Sequence, residues 1–547
     1  MSDEPHSAPG SPKPRKPLWF HLTVWIVSIA LVLAAAALTI FAIYLHRAEP
    51  ILRQRVIETL ETRYDSRVEL SGFSVSALHG FEVTGSGLKV FPNSLDMQKP
   101  LFAVNSFRFR TTWRDLFRTP MHIGLVRISG LAINLPPKSQ RHIIPKLKGS
   151  KPGKIEILVD RLDIDRASLV LGTSKPGKVP LDFEISDLKM TSVGAGQPMS
   201  FHAILVNPKP VGDINSSGTF GPFNAHSPGD TPVSGVYSFK NADLSTLKGI
   251  GGILSSTGNY QGTLNNIVVD GETDTPNFSL TVAGQPVPLH TNFHAIVDGT
   301  NGDTHLEPVD AMLQNSHIVA RGDVITVPGQ GHQITLDVTV QPARIEDVLK
   351  LAVNTQPPVM SGNLVLHTQL DLQPGNASVT DRMRLKGAFT ITGVHFNNSD
   401  IQSKVDELSL RGQGHPGQIK KDAEQNIRPN IASDMSGNFT LANSNLTLTG
   451  LHYVVPGAEV ALHGFYNLDG GQLDFAGTAR LNATVSQMVT GWKSWLLKPV
   501  DPLFSKHGAG TEVPIQITGT RSHPEFQLDL FHKSSQNSVH NGGNITP

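Results

Sequence analysis

The feature that most restricts how this chain can fold is a period of two. In GNLVLHTQLDL, Gly362–Leu372, leucines stand at 364, 366, 370 and 372, while Val365, His367, Gln369 and Asp371 take the alternate positions. Only Thr368 interrupts the leucine side. Successive side chains of a strand point to opposite faces, so this run is a strand with one apolar face. The same alternation sets Leu336 and Val338 on one side of ITLDVTV (Ile334–Val340), and Phe439, Leu441, Leu446 and Leu448 on one side of NFTLANSNLTL. Long helical patterns are scarce, so no layer to cover these faces is evident. The expected fold is all-β: an elongated, curled antiparallel sheet forming an open hydrophobic groove, with a few short helices and one N-terminal transmembrane helix. A closed barrel or sandwich that buries the same faces against each other is the competing arrangement.

Strand-like runs such as RVELSGFSVSAL, FEVTGSGLKVF and HIGLVRISGLAINL follow one another closely, punctuated by Gly and Pro as in a meander of hairpins. Helical spacing predicts a short amphipathic helix over Pro50–Ser66 and further short helices over Ala242–Leu254 and Ala343–Val353. Gly412–Asn430 reads as a polar insertion. In Ser486–Val500, Met488, Trp492, Trp495 and Leu496 share a narrow helical stripe that either packs on the sheet or closes one end of the groove.

Leu22–Leu45 carries no charge. At 1.5 Å per residue this run spans about 36 Å, against a hydrocarbon core of roughly 30 Å. It is long enough to cross a bilayer, with Trp19, Phe20, Trp25 and Tyr44 near its ends. A cleaved signal peptide is the alternative, but Leu38–Leu45 extends the apolar run beyond the small residues at 34–37. Lys13, Arg15 and Lys16 before it nearly balance Arg47, Arg53 and Arg55 after it, so orientation rests on the folded bulk following the segment. The expected organisation is a short leader (1–17), an anchor (18–46), two β-regions (47–235 and 236–531) and a tail (532–547).

Composition narrows the partners. Lys plus Arg number 46 and Asp plus Glu 46, so the broad positive field of a nucleic-acid binder is missing. Cysteine is absent, which removes disulfides, thiolate catalysis and Cys-based zinc sites. Lysines in Pro145–Lys154 offer contacts to anionic head groups, although a solvated loop accounts for them equally. Gly412, Gly414 and Gly417 match a nucleotide fingerprint only formally, because Pro416 interrupts it and no apolar helix follows. His290 and His294 share a strand face without a third ligand, and Asp160, Asp163 and Asp165 lack the glycine and glutamate of a calcium loop. Neither G-x-S-x-G nor H-E-x-x-H occurs. No enzyme, metal or cofactor is expected.

The chain resembles the AsmA-like family of bacterial envelope proteins, which is similar in architecture to chorein-type bridge proteins that carry lipids between membranes. The resemblance begins with the anchor, the helix near Arg53 and the strand pairs from Val68 to Leu135. It is strongest in GNYQGTLNNIVVDGETDTPNFSL (Gly258–Leu280), FHAIVDGTNGDTHLEPVDAML, VPGAEVALHGFYNL (Val455–Leu468) and GWKSWLLKPVDPLFSKHGAGTEVPIQITGT (Gly491–Thr520). Residues 172–235 match only in strand rhythm. The resemblance implies a single-pass protein of the bacterial inner membrane with its bulk in the periplasm, shielding phospholipid acyl chains and supporting lipid transport toward the outer membrane. Its expected partners are phospholipids and the inner membrane, with outer-membrane or periplasmic envelope proteins as further candidates. The residues expected to line the groove are Leu336, Val338, Leu364, Leu366, Leu370, Leu372, Phe439, Leu441, Leu446 and Leu448. A β-scaffold for outer-membrane protein assembly and an anchored envelope enzyme are the rival classes.

Overall fold

A computed structural model describes residues 49–528, apart from 63–64, 77–79, 94–98, 117, 119, 138–156, 174–178, 195, 225–226, 282–283, 329, 426–428, 469–470, 485, 489–509 and 521–522. The expected leader, anchor, lysine-rich loop and tail, and the tryptophans at 492 and 495, lie outside the described residues. Among the described residues, no helix is long and apolar enough to cross a membrane. The described chain is predominantly β with a few short helices. It divides into two compact units, Met1–Gly172 with Lys189–Ala195, and Thr173–Leu188 with Gly196–Pro547.

The first unit begins with α1 (residues 49–62), in which Ile51 remains 66% exposed. Polar side chains tie this helix to the strands that follow. Arg53 donates to Leu70 O, Glu61 accepts from Val68 N and Glu49 accepts from Val75 N. Next come β1 (Ser66–Glu69), β2 (Gly72–Ser76), β3 (Phe81–Pro92), β4 (Phe102–Thr111), the short α2 (Trp113–Leu116), β5 (Met121–Leu135) and β6 (Ile157–Leu171). Strands β1 and β2 both pair with β3, which pairs with β4, and β4 pairs with β5, all antiparallel. The expectation of a wholly antiparallel sheet fails at β5–β6, which run parallel with Ile128 opposite Ile164. A parallel pair needs a crossover of about a dozen residues or more, and residues 136–156 are long enough to make one.

β7 (Leu181–Gly194) contributes to both units. In the second unit follow β8 (Met199–Pro208), β9 (Val211–Phe220), β10 (Pro232–Asp243), β11 (Ile250–Gly251), β12 (Ile253–Thr263), β13 (Asn266–Leu280), β14 (Val287–Val297), β15 (Thr304–Leu313), β16 (Ser316–Val327) and β17 (Gly331–Arg344). Helix α3 (Ile345–Ala352) leads to β18 (Met360–Leu372), and α4 (Val379–Arg382) to β19 (Met383–Phe396). Helices α5 (Ser399–Gly412) and α6 (Pro416–Glu424) lead to β20 (Ser433–Ala442), β21 (Asn445–Val455), β22 (Ala458–Asn467), β23 (Gln472–Leu481), β24 (Thr511–Thr520) and β25 (His523–Leu528). From β8 onward each strand pairs antiparallel with the next, β10 pairing with β12 past the two-residue β11. The expected boundary at 235/236 falls inside β10.

Helices α3, α5 and α6 gather at one margin of this sheet, where β17 and β19 end and β18 and β20 begin. There Val340, Ala343, Ile345, Leu364, Ile391 and Val394 form one buried cluster, with Val348 and Leu349 of α3 packed on it. A second cluster joins Val405 of α5 to Leu451, Val455, Ala458, Val460, Leu462, Ala479, Leu481 and Val513. Helix α3 lies within the expected Ala343–Val353. In place of a helix over Ala242–Leu254, only a 3-10 turn at Leu244–Thr246 forms. The polar stretch Gly412–Asn430 carries helix α6, and α5 before it has no counterpart in the apolar pattern. Its buried face is Gln402, Val405, Asp406, Ser409 and Gly412, mostly polar, so hydrophobic periodicity does not announce it. Those polar groups are satisfied internally. Asp406 accepts from Asn430 N and Ile431 N, Gln402 accepts from Phe396 N, and Ser409 donates to Pro456 O.

Candidate functional site

The register of the second unit carries one face continuously across the sheet. Residues directly opposite each other on paired strands share a face. Following such partners from strand to strand gives the row Phe201, Gly218, Gly235, Tyr260, Val269, Ala295, Leu306, Gly322, Leu336, Leu370, Leu385, Leu441, Leu446, Tyr466, Leu473 and Gly519. No charged side chain enters it. At about 4.8 Å between strands the row is roughly 70 Å long, measured along the sheet.

All ten residues singled out by alternation lie on this face. Leu336, Leu370, Leu441 and Leu446 occupy the row itself. Val338, Phe439 and Leu448 occupy the next row, where Val338 faces Thr368, Gly387 faces Phe439, and Phe439 faces Leu448. Leu366 stands between Val340 and Phe389, Leu364 between Ala343 and Ile391, and Leu372 between Ile334 and Met383.

Burial separates these residues. Leu364, at 3% exposure, belongs to the cluster under α3. Leu372, Phe439 and Leu441 are also buried. Leu336, Val338, Leu366, Leu370, Leu446 and Leu448 are only half-buried, as are fourteen of the sixteen residues in the row, all but Ala295 and Leu441. Thr368 is buried at 5% and its hydroxyl lies 3.2 Å from Lys386 O, so the one polar interruption of the leucine side is absorbed by the backbone. On the other face Val365 is 45% exposed, and His367 and Gln369 point to solvent. A shallow depression of about 490 Å³ is lined mainly by that opposite face, through Asn445, Thr447, His463 and Phe465.

Sequence alternation had not singled out Leu306, Leu385, Tyr466 and Leu473 in the row. Their own strands alternate, but the pattern is broken by glycines within β19, β22 and β23 and by Pro308 within β15. Two connections distant along the chain also meet. Val379 N, in the connection from β18 to β19, donates to Lys248 O, in the connection from β10 to β12, at 3.0 Å.

The solvent face carries histidine–carboxylate pairs rather than a catalytic constellation. His294 Nδ1 lies 2.7 Å from Asp270, and His290 stands opposite Asp274 in register. His305 has Asp323 at 2.6 Å from Nδ1 and Glu307 at 2.6 Å from Nε2, and these two carboxylates, Asp323 foremost, raise its pKa above the ordinary histidine value. Burial pushes the Tyr453 hydroxyl up to about 12. Among the described residues no group of three or more His, Asp or Glu is arranged to hold a metal ion. Gly412 ends α5 and Gly417 lies inside α6, so the strand that a nucleotide-binding turn requires does not precede them. Comparison with protein-family models, curated proteins and solved structures finds no match to this chain.

Proposed function

We propose that this chain is a membrane-anchored, AsmA-like envelope protein whose second unit forms a curled β-groove that shields phospholipid acyl chains and supports lipid transport between the inner and outer membranes. The single observation that carries the reading is the uncharged row from Phe201 to Gly519, most of it half-buried. A closed core would bury such a row, and an ordinary solvent face would not be apolar. The bond between Val379 and Lys248 supports the curl.

The physical need is large. Moving a two-chain lipid of about 30 methylenes into water costs roughly 24 kcal/mol at about 0.8 kcal/mol per methylene. An apolar floor offsets most of that while the head group stays wet. The apolar run at 22–45 supplies the membrane attachment, and binding rather than catalysis is the function.

The helical margin favours a second role for part of the same face. The clusters around α3 and α5 are closed core, as a protein-binding scaffold would have throughout. Mass spectrometry of lipids extracted from the chain purified without detergent separates the two. The groove reading expects stoichiometric phospholipid, reduced at least fivefold by Leu370→Asp and unchanged by Gln369→Glu. Purified, folded chain free of phospholipid defeats the groove and leaves the scaffold.

A further inference from the structure

The apolar face changes character between β9 and β14. The ends of three aromatic rings sit directly over glycines there. A Cβ on Gly235 would meet the Tyr260 hydroxyl at 2.6 Å, one on Gly258 would meet the Tyr237 ring at 2.8 Å, and one on Gly271 would meet Tyr237 Oη at 2.7 Å and Phe293 Cζ at 2.8 Å. Only glycine lets the rings come down onto the backbone. With glycine beneath them, Tyr237, Tyr260 and Phe293 are all half-buried rather than covered, which leaves part of each ring open to a ligand. From β15 to β24 the corresponding rows are dominated instead by Leu, Val, Ala, Phe and Gly.

Hydrogen-bond direction fixes what this pavement offers. Ser216 donates to Val236 O at 3.0 Å, so the 2.8 Å contact between Ser216 and Tyr260 is made with the tyrosine proton. Ser256 donates to Glu272 O at 2.9 Å, so the 3.0 Å contact with Tyr237 likewise uses the tyrosine proton. Both phenols are pinned, their donors spent, and only lone pairs and π faces remain. Such a surface is electronegative and carries no full charge. Its complement is a soft cation rather than an anion.

We propose that the pavement of Tyr237, Tyr260 and Phe293 seats the ammonium head group of a lipid, ethanolamine or choline in type, and discriminates against head groups without a cation. The inference rests on the lipid-binding reading and adds a head-group preference to it. The ammonium lies over the ring faces while the acyl chains follow the aliphatic floor beyond β15.

The full chain is incubated with vesicles containing equal parts of dioleoyl lipids with ethanolamine, choline, glycerol and 3,3-dimethylbutanol head groups, the last being choline with its nitrogen replaced by carbon. Bound lipid is then read by mass spectrometry. The ammonium lipids should be enriched about fivefold over the glycerol and carbon-isostere lipids, and the ratio of ethanolamine to choline identifies the source. Tyr237→Phe with Tyr260→Phe keeps the ring faces and should keep most of the enrichment. Tyr237→Leu with Tyr260→Leu should abolish it, so that bound lipid returns to the vesicle ratio. The wild-type comparison of choline with its isostere stands even where the leucine variant does not fold. Lipid bound in the vesicle ratio overturns the head-group assignment alone, whereas no lipid bound overturns the groove as well.

Discussion

Leu364 and Leu370, six positions apart on β18, illustrate how unequal residues on one face are. Leu364 packs in the cluster with Ile345 and Val394, whereas Leu370 stands half-buried opposite Leu336 and Leu385. Truncating a buried leucine loses both transfer energy and packing, so Leu364→Ala should cost about 2–5 kcal/mol in urea denaturation. Leu370→Asp should cost far less stability and act on lipid loading. Equal destabilisation by both would mean that Leu370 is core. A second residue-scale expectation concerns His305. Its folded pKa is raised by Asp323 and then Glu307, so its contribution to stability is fully present below about 6.5, the usual histidine value, and is lost as pH rises through the higher folded value. The ring-proton shift of His305 in NMR should titrate above that value, and Asp323→Asn should lower the midpoint.

At the scale of elements, the two helices on the sheet margin use the same device. Each presents a buried aspartate to a neighbouring turn. Asp347 of α3 accepts from Asn315 N at 3.1 Å and from Ser316 Oγ at 2.9 Å, and Asp406 of α5 accepts from Asn430 N and Ile431 N. Replacing Asp347 with Ala removes the acceptor of Asn315 N and leaves the buried Ser316 hydroxyl only the longer contact with Arg344 O at 3.5 Å, and should cost about 1–3 kcal/mol by thermal or urea unfolding. Asn398 caps α5 by accepting from Asp400 N and Ile401 N, and Asn398→Ala should cost about 0.5–2 kcal/mol. This device also explains what the sequence revealed and what it hid. Strands with one leucine face were legible because apolar alternation is local. Helix α3, with Ile345, Val348 and Leu349 at helical spacing, was legible for the same reason. Helix α5 was not, because Gln402, Asp406 and Ser409 are buried through partners distant in sequence. The parallel pairing of β5 with β6 was equally hidden, since alternation fixes a face but not a direction. Alternation does not single out Tyr237 and Tyr260, and only the register that sets glycines beneath them makes a pavement.

For the second unit as a whole, one backbone hydrogen bond ties connections that the chain places far apart. Val379 N reaches Lys248 O, and a Cβ on Gly249, whose φ is +98°, would come within 2.8 Å of the same nitrogen. A proline at position 379 tests this tie with little collateral damage. Val379 is the first residue of α4, where proline is favoured because its missing N–H has no helical partner. Ser378 already has φ −60° and ψ 159°, the extended conformation that proline demands of the residue before it. Val379→Pro therefore removes the donor and leaves α4 intact. The loss should be about 0.5–1.5 kcal/mol of stability, the net worth of one such bond. Amide exchange should quicken at 244–252 and 373–382 and remain unchanged around α5. Where the tie holds the curl of a lipid groove, release of bound phospholipid to acceptor vesicles should also accelerate. Faster exchange at both connections without faster release would make the tie a structural fastening and place the route of lipid exit elsewhere along the row.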